Sequence, residues 1–186
     1  MDQAKPFSVV ARTLHWTMAV LILAMLFIGV GMVTSSGRYH ALVTIHRPIG
    51  ALILVLAAIR LVYRLLHRPP PLPAAMPRAL KLVAELSHYA LYALMFAVPL
   101  VGWSMLSAGS YPVVLYGPLR LPPILPHDVA LYATLRQAHT VLAFLLFFTF
   151  LAHMAAALMH ALLFRDGVFE SMASLKAGEG RERKPS

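Results

Sequence analysis

AHTVLAFLLFFTFLAHMAAALMH, residues 138–160, decides the fold. This apolar stretch contains no Asp, Glu, Lys or Arg, yet carries His139, His153 and His160. A continuous run of this length is the signature of a helix that crosses a bilayer. His139 and His153 are fourteen residues apart. At about 100° per residue that is close to four whole turns, so both rings leave one face, roughly 21 Å apart along the axis. A polar, metal-binding side chain inside a lipid-spanning helix is costly and marks a functional site by default.

The rest of the chain follows the same pattern. Of 186 residues, 60% are hydrophobic and only 12% charged, well outside the soluble globular range. Four apolar segments are expected, at about residues 14–33, 41–66, 80–106 and 128–164. Each is long enough to span, and the fourth exceeds the hydrocarbon thickness. Backbone satisfaction in lipid makes them helices. The predicted fold class is therefore all-α: an integral membrane four-helix bundle in a single domain. TSSGRYH (34–40) breaks segments one and two. HRPPPLPAAMPR (67–78), with five prolines, separates two and three and should be extended. Residues 107–126 read as a structured loop with room for a short interfacial helix. Residues 171–186 are expected to form a flexible polar tail.

Several chemistries are excluded. With no cysteine, disulfides, Cys-ligated zinc, iron–sulfur clusters and thioether-linked haem are ruled out. The formal net charge of +9 does not imply nucleic acid, because the basic residues flank apolar segments instead of forming a stripe. They read as topology signals. Lys5, Arg12, Arg60, Arg64, Arg68, Arg78, Lys81, Arg165, Lys176, Arg181, Arg183 and Lys184 fall on one side, and Arg38, Arg47, Arg120 and Arg136 on the other. Twelve against four predicts both termini in the cytoplasm of a multi-pass inner-membrane protein.

That topology sorts the histidines by depth. His15 starts segment one and His153 ends segment four, both toward the cytoplasmic side. His46 starts segment two and His139 starts segment four, both toward the outer side. Two neutral imidazoles facing each other can fill both axial positions of a haem iron, which leaves no coordination site for oxygen and suits electron transfer. Two stacked haems are thus expected, one between His15 and His153 and one between His46 and His139. Small residues near these positions (Gly29, Gly31, Gly50, Ala51, Ala152 and Ala155 among them) either admit porphyrin planes or allow close helix packing. His40, His67 and His127, near segment ends, read as satisfied structural histidines. His160, seven residues beyond His153, and His88, near the start of segment three, are candidates for proton donation to a quinone.

LHW (14–16), HRPIG (46–50), RLVYRLLHRPPPLP (60–73), SHYALYALMFAVPLVGW (87–103), AHTVLAF (138–144), HMAAALMH (153–160) and RDGV (165–168) occur in an order that resembles the bacterial cytochrome b561 family. The likeness covers roughly residues 7–172. It implies a four-helix bundle with two haem b groups on His15, His46, His139 and His153, and a ubiquinone-associated histidine at His160. One branch of the family is the superoxide oxidase type, which oxidises superoxide at the periplasmic face and reduces ubiquinone. The chain is similar to that branch in size and in His160. Arg38, Arg47, Arg120 and Arg136 are the cations available to steer an anion there. Other relatives serve as electron-carrier membrane subunits of hydrogenase-like or dehydrogenase-like complexes, which is the alternative the resemblance leaves open.

Overall fold

The structure, a computed structural model, describes residues 6–67, 69–71 and 76–173. Four long helices dominate: α1 (Val9–Thr34), α2 (Tyr39–Leu66), α3 (Arg78–Ala108) and α4 (Val129–Met159). All four are long and apolar enough to cross a membrane. Their ends follow local chemistry. The Ser8 hydroxyl caps α1 by accepting from the Ala11 N–H at 3.3 Å, and the Asp128 carboxylate caps α4 by accepting from the Leu131 N–H at 2.9 Å. A 3-10 turn at Ser36–Arg38 links α1 to α2. Pro48 and Pro99 lie inside α2 and α3, where neighbouring helices make such breaks tolerable.

The helices pack as an up-and-down bundle, α1 on α2 and α3 on α4, with α2 also against α3. The buried centre is small: Met18 and Ile22 from α1, Ile53 and Ala57 from α2, Met95 from α3 and Leu146 from α4. Leu146 lies midway between His139 and His153 in sequence, so this apolar plug separates the two histidine levels. Outward faces carry large exposed apolar side chains such as Phe27, Val33, Phe148 and Leu163. In water that surface would be a liability; in lipid it faces a solvent as apolar as itself.

Three expectations change. The loop after α3 holds no interfacial helix. Instead β1 (Val113–Tyr116) and β2 (Leu119–Leu121) form an antiparallel hairpin pairing Val113 with Leu121 and Val114 with Arg120. The sequence VVLY has β-forming residues, and Gly117 takes the positive φ of 51° at the turn. The hairpin is tied down: Trp103 Nε1 donates to the Pro122 carbonyl at 2.9 Å, Ser107 Oγ accepts from the Ile124 N–H at 3.1 Å, and Arg47 Nη1 donates to the Pro112 carbonyl at 3.2 Å.

The fourth segment is helical to Phe164, as expected, but its last turn is not α. His160–Phe164 form a π-helical turn, closed by Arg165 in the left-handed region (φ 47°). Residues 171–173, expected to begin a flexible tail, are helical. A short helix α5 (Val168–Ala173) takes in residues 171–173, and Ser171 is buried. It is held by two bonds: Phe7 N–H, just ahead of α1, donates to the Ser171 carbonyl at 3.0 Å, and Trp16 Nε1 of α1 donates to the Met172 carbonyl at 3.1 Å. The remaining tail, 174–186, and much of the proline-rich linker lie outside the described residues.

Candidate functional site

Each of the four predicted spanning histidines comes from a helix whose register turns it inward, and the structure brings them together in two pairs. The His15 and His153 ring centres are 6.3 Å apart, and those of His46 and His139 are 6.2 Å apart. With a metal–imidazole bond of about 2 Å and roughly 1.1 Å from ring nitrogen to ring centre, two imidazoles on opposite sides of one metal have centres about 6.2 Å apart. Both pairs match that separation. Among the described residues no cluster of three or more His, Cys, Asp or Glu side chains is arranged to hold a bare metal ion. A couple at this separation fits a metal whose other ligands arrive with a macrocycle; His88 is a third ring beside the His15–His153 couple.

At the hairpin end, His139 Nδ1 lies 3.1 Å from the Val98 carbonyl of α3. A carbonyl only accepts, so Nδ1 carries the proton and Nε2 keeps the lone pair for a metal. The ring reaches that carbonyl because α3 presents Gly102 there. A Cβ at Gly102 would stand 3.1 Å from His139 Cε1 and 3.3 Å from Nδ1. His46 sits opposite with its Nδ1 buried and without a protein partner, as is the Nε of the adjacent Arg47. An orphaned donor beside a candidate ligand fits a site that a larger group completes.

At the end bearing the termini the surroundings differ. Trp16 packs its edge on His15 with ring centres 5.4 Å apart, and His88 packs its edge on His153 at the same separation. Arg60 Nε donates to the Tyr92 hydroxyl at 3.1 Å, and the Arg64 guanidinium lies 5.8 Å from the Tyr92 ring centre. Below this level, His160 Nδ1 pairs with Asp166 Oδ2 at 2.7 Å, and Asp166 Oδ1 accepts from the Val168 N–H at 3.2 Å. The π-helical turn and the left-handed Arg165 swing Asp166 back under His160.

His88 is therefore brought to the His15–His153 pair, whereas His160 is engaged by Asp166. The histidines read as structural behave as such: His67 stacks on Tyr63 and His127 Nδ1 donates to the Ala108 carbonyl at 3.0 Å. His40 lies edge-on to Tyr39. The glycines singled out from sequence do not meet the histidines. Gly31 faces Leu42, Gly50 faces Met25, and Gly29 faces open space. Gly102 is the one that does, and sequence reasoning missed it. Its signal was its place three residues after Pro99 in the segment that supplies no spanning pair member. Asp166 was missed as well, although it lies only six residues from His160.

Comparison with known proteins gives a consistent picture. Residues 6–174 match the family described as prokaryotic cytochrome b561. The chain is similar to cytochrome b561 homolog 2 of Escherichia coli (strain K12), 30% identical over 170 residues that cover 89% of this chain and 90% of that protein. It is also similar to a Yersinia pestis protein named "Probable superoxide oxidase CybB", 28% identical over 176 residues, covering 94% of this chain and 99% of that one.

Proposed function

The chain belongs to the prokaryotic cytochrome b561 family, and from that membership we propose that it is a dihaem cytochrome b of the bacterial inner membrane, taking electrons from superoxide at the periplasmic face and delivering them to ubiquinone at the cytoplasmic face. The observation that carries the reading is the pair of facing imidazole couples, at 6.2 and 6.3 Å, on two levels of one bundle. Two b-type haems, held by His46 with His139 and by His15 with His153, would supply one-electron redox chemistry. The family supports b-type haem; the count of two rests on the pairing.

The chain's own residues then have distinct tasks. Val98 holds His139 in the tautomer that offers Nε2. The Met18–Ile22–Ile53–Ala57–Met95–Leu146 plug keeps water from the space between levels. Asp166 holds the Nδ1 side of His160, leaving Nε2 to exchange a proton with a quinone oxygen, with His88 as the second proton-carrying candidate. The lysine and arginine distribution orients the bundle with both termini in the cytoplasm. Arg38, Arg47, Arg120 and Arg136 supply positive charge on the outer face, where an anionic donor would arrive. The balance is simple. Two superoxide ions each lose one electron and become dioxygen, and ubiquinone takes two electrons and two protons to become ubiquinol. The choice of superoxide draws on the relative named for that activity.

The test uses the purified chain alone. It should carry two haem b per polypeptide by pyridine haemochrome assay, and superoxide pulses should form ubiquinol at one per two superoxide consumed. Fewer than two haems would sink the cofactor assignment. Two haems that superoxide does not reduce would replace this reading with that of an electron-carrier subunit docked to a larger oxidoreductase.

A further inference from the structure

Arg60 and Arg64 are one helical turn apart on α2 and meet the same side chain, Tyr92 of α3. Both are partly buried. Each is a permanent cation, since guanidinium does not release its proton in proteins. Placing two of them side by side in the last turns of a spanning helix is unfavourable unless an anion lies between or beside them. No carboxylate serves. Among the described residues the one ion pair is His160 with Asp166, and neither arginine has an acidic partner.

Their location narrows the missing anion. Tyr92, which both arginines meet, lies one helical turn from His88 on α3, and His88 packs edge-on to His153 with ring centres 5.4 Å apart. Four helices thus converge here: α1 with His15, α2 with the arginines, α3 with His88 and Tyr92, and α4 with His153. Arg60 spends only its Nε on Tyr92. Its planar fork suits two parallel hydrogen bonds to a carboxylate, which a lysine would not reproduce. At the hairpin end a single arginine adjoins the pair: Arg47 gives Nη1 to the Pro112 carbonyl and leaves its Nε without a protein partner.

We infer that Arg60, Arg64 and Tyr92 form an oxyanion subsite beside the His15–His153 pair, and that its occupant is the carboxylate edge of the porphyrin held there. This rests on the haem reading above. The two arginines would then hold that porphyrin by its side-chain carboxylates while the histidines hold its metal. The same oxyanion chemistry could come from a lipid phosphate, so the test separates the two sources.

The experiment compares ferric protoporphyrin IX with its dimethyl ester, whose carboxylates are blocked. Apoprotein is titrated in dodecyl maltoside, a detergent without phosphate, using His46→Ala so that only the inner pair is read. With the arginines present, the free acid should bind at least tenfold more tightly than the ester, about 1.4 kcal/mol. In Arg60→Gln/Arg64→Gln that advantage should vanish, while ester affinity stays within twofold. Equal losses for acid and ester would overturn the subsite and make the arginines merely structural. An arginine effect seen only after phosphatidylglycerol is added would overturn it in favour of a lipid headgroup. Should the double variant fail to fold, Arg60→Lys decides: it should keep a reduced acid-over-ester preference, and an undiminished one would reject the fork. Failure of the unsubstituted chain to take up two equivalents would refute the haem reading itself, a result distinct from two equivalents bound with no acid–ester difference.

Discussion

The two ends of the bundle hold matching histidine pairs by different means. At the hairpin end, control lies in backbone. His139 is anchored on the Val98 carbonyl, seated on Gly102, and roofed by a hairpin pinned through Trp103, Ser107 and Arg47. At the end bearing the termini, control lies in side chains. Trp16 packs on His15 and His88 on His153, Arg60 and Arg64 gather on Tyr92, and His160 pairs with Asp166 further along α4. A backbone carbonyl orients a ring but cannot change charge or pass a proton. Imidazoles and carboxylates can do both. The difference therefore suits a redox relay in which one end only accepts electrons and the other must also supply protons.

The most disruptive way to test that contrast is to remove one member of a pair. His46→Ala or His139→Ala should leave about one haem per chain, as should His15→Ala or His153→Ala, with the surviving centre differing between the two sets. Haemochrome counting with low-temperature spectra checks this; two intact haems after substitution in each pair would dissolve the assignment. His160→Ala should keep both haems yet slow ubiquinone reduction on the order of a hundredfold, the range of a lost general acid. Asp166→Asn should do the same more mildly, about tenfold. Stopped-flow reduction of a soluble ubiquinone reads both, and unchanged rates would remove this end's proposed proton role.

Gly102→Ala sharpens the comparison from the other side. Its Cβ crowds the His139 ring, so haem affinity at the hairpin end should fall about tenfold or more while the other centre is unaffected. Equal weakening of both centres in a haem titration would show that the glycine serves general packing instead. The smallest effect is expected from Trp103→Phe, which loses one bond to the Pro122 carbonyl. A cost of about 1 kcal/mol should appear as a modest fall in thermal midpoint with spectra unchanged.

Much of the architecture was legible before any coordinates. Uninterrupted apolar runs of spanning length leave the backbone no option but helix in lipid, so four helices and their order follow directly. The fourteen-residue spacing of His139 and His153 puts both on one face because helical period is a local property. The loop between α3 and α4 was read less well. Whether VVLY becomes strand or interfacial helix depends on a partner strand and on Trp103 and Ser107 reaching across to it. Likewise, residues 171–173 read from sequence as the start of a polar tail, whereas in the structure they end a short helix tied to Phe7 and Trp16.

What the chain determined unaided is what short-range physics controls: hydrophobic length, helical phase, and the position of each histidine along its helix. The tertiary structure alone decided which groups meet. Gly102 became the seat of His139, Asp166 the partner of His160, and Arg60 with Arg64 neighbours of Tyr92. Such meetings depend on how helices distant in sequence rotate and close against one another, and no local period encodes that rotation.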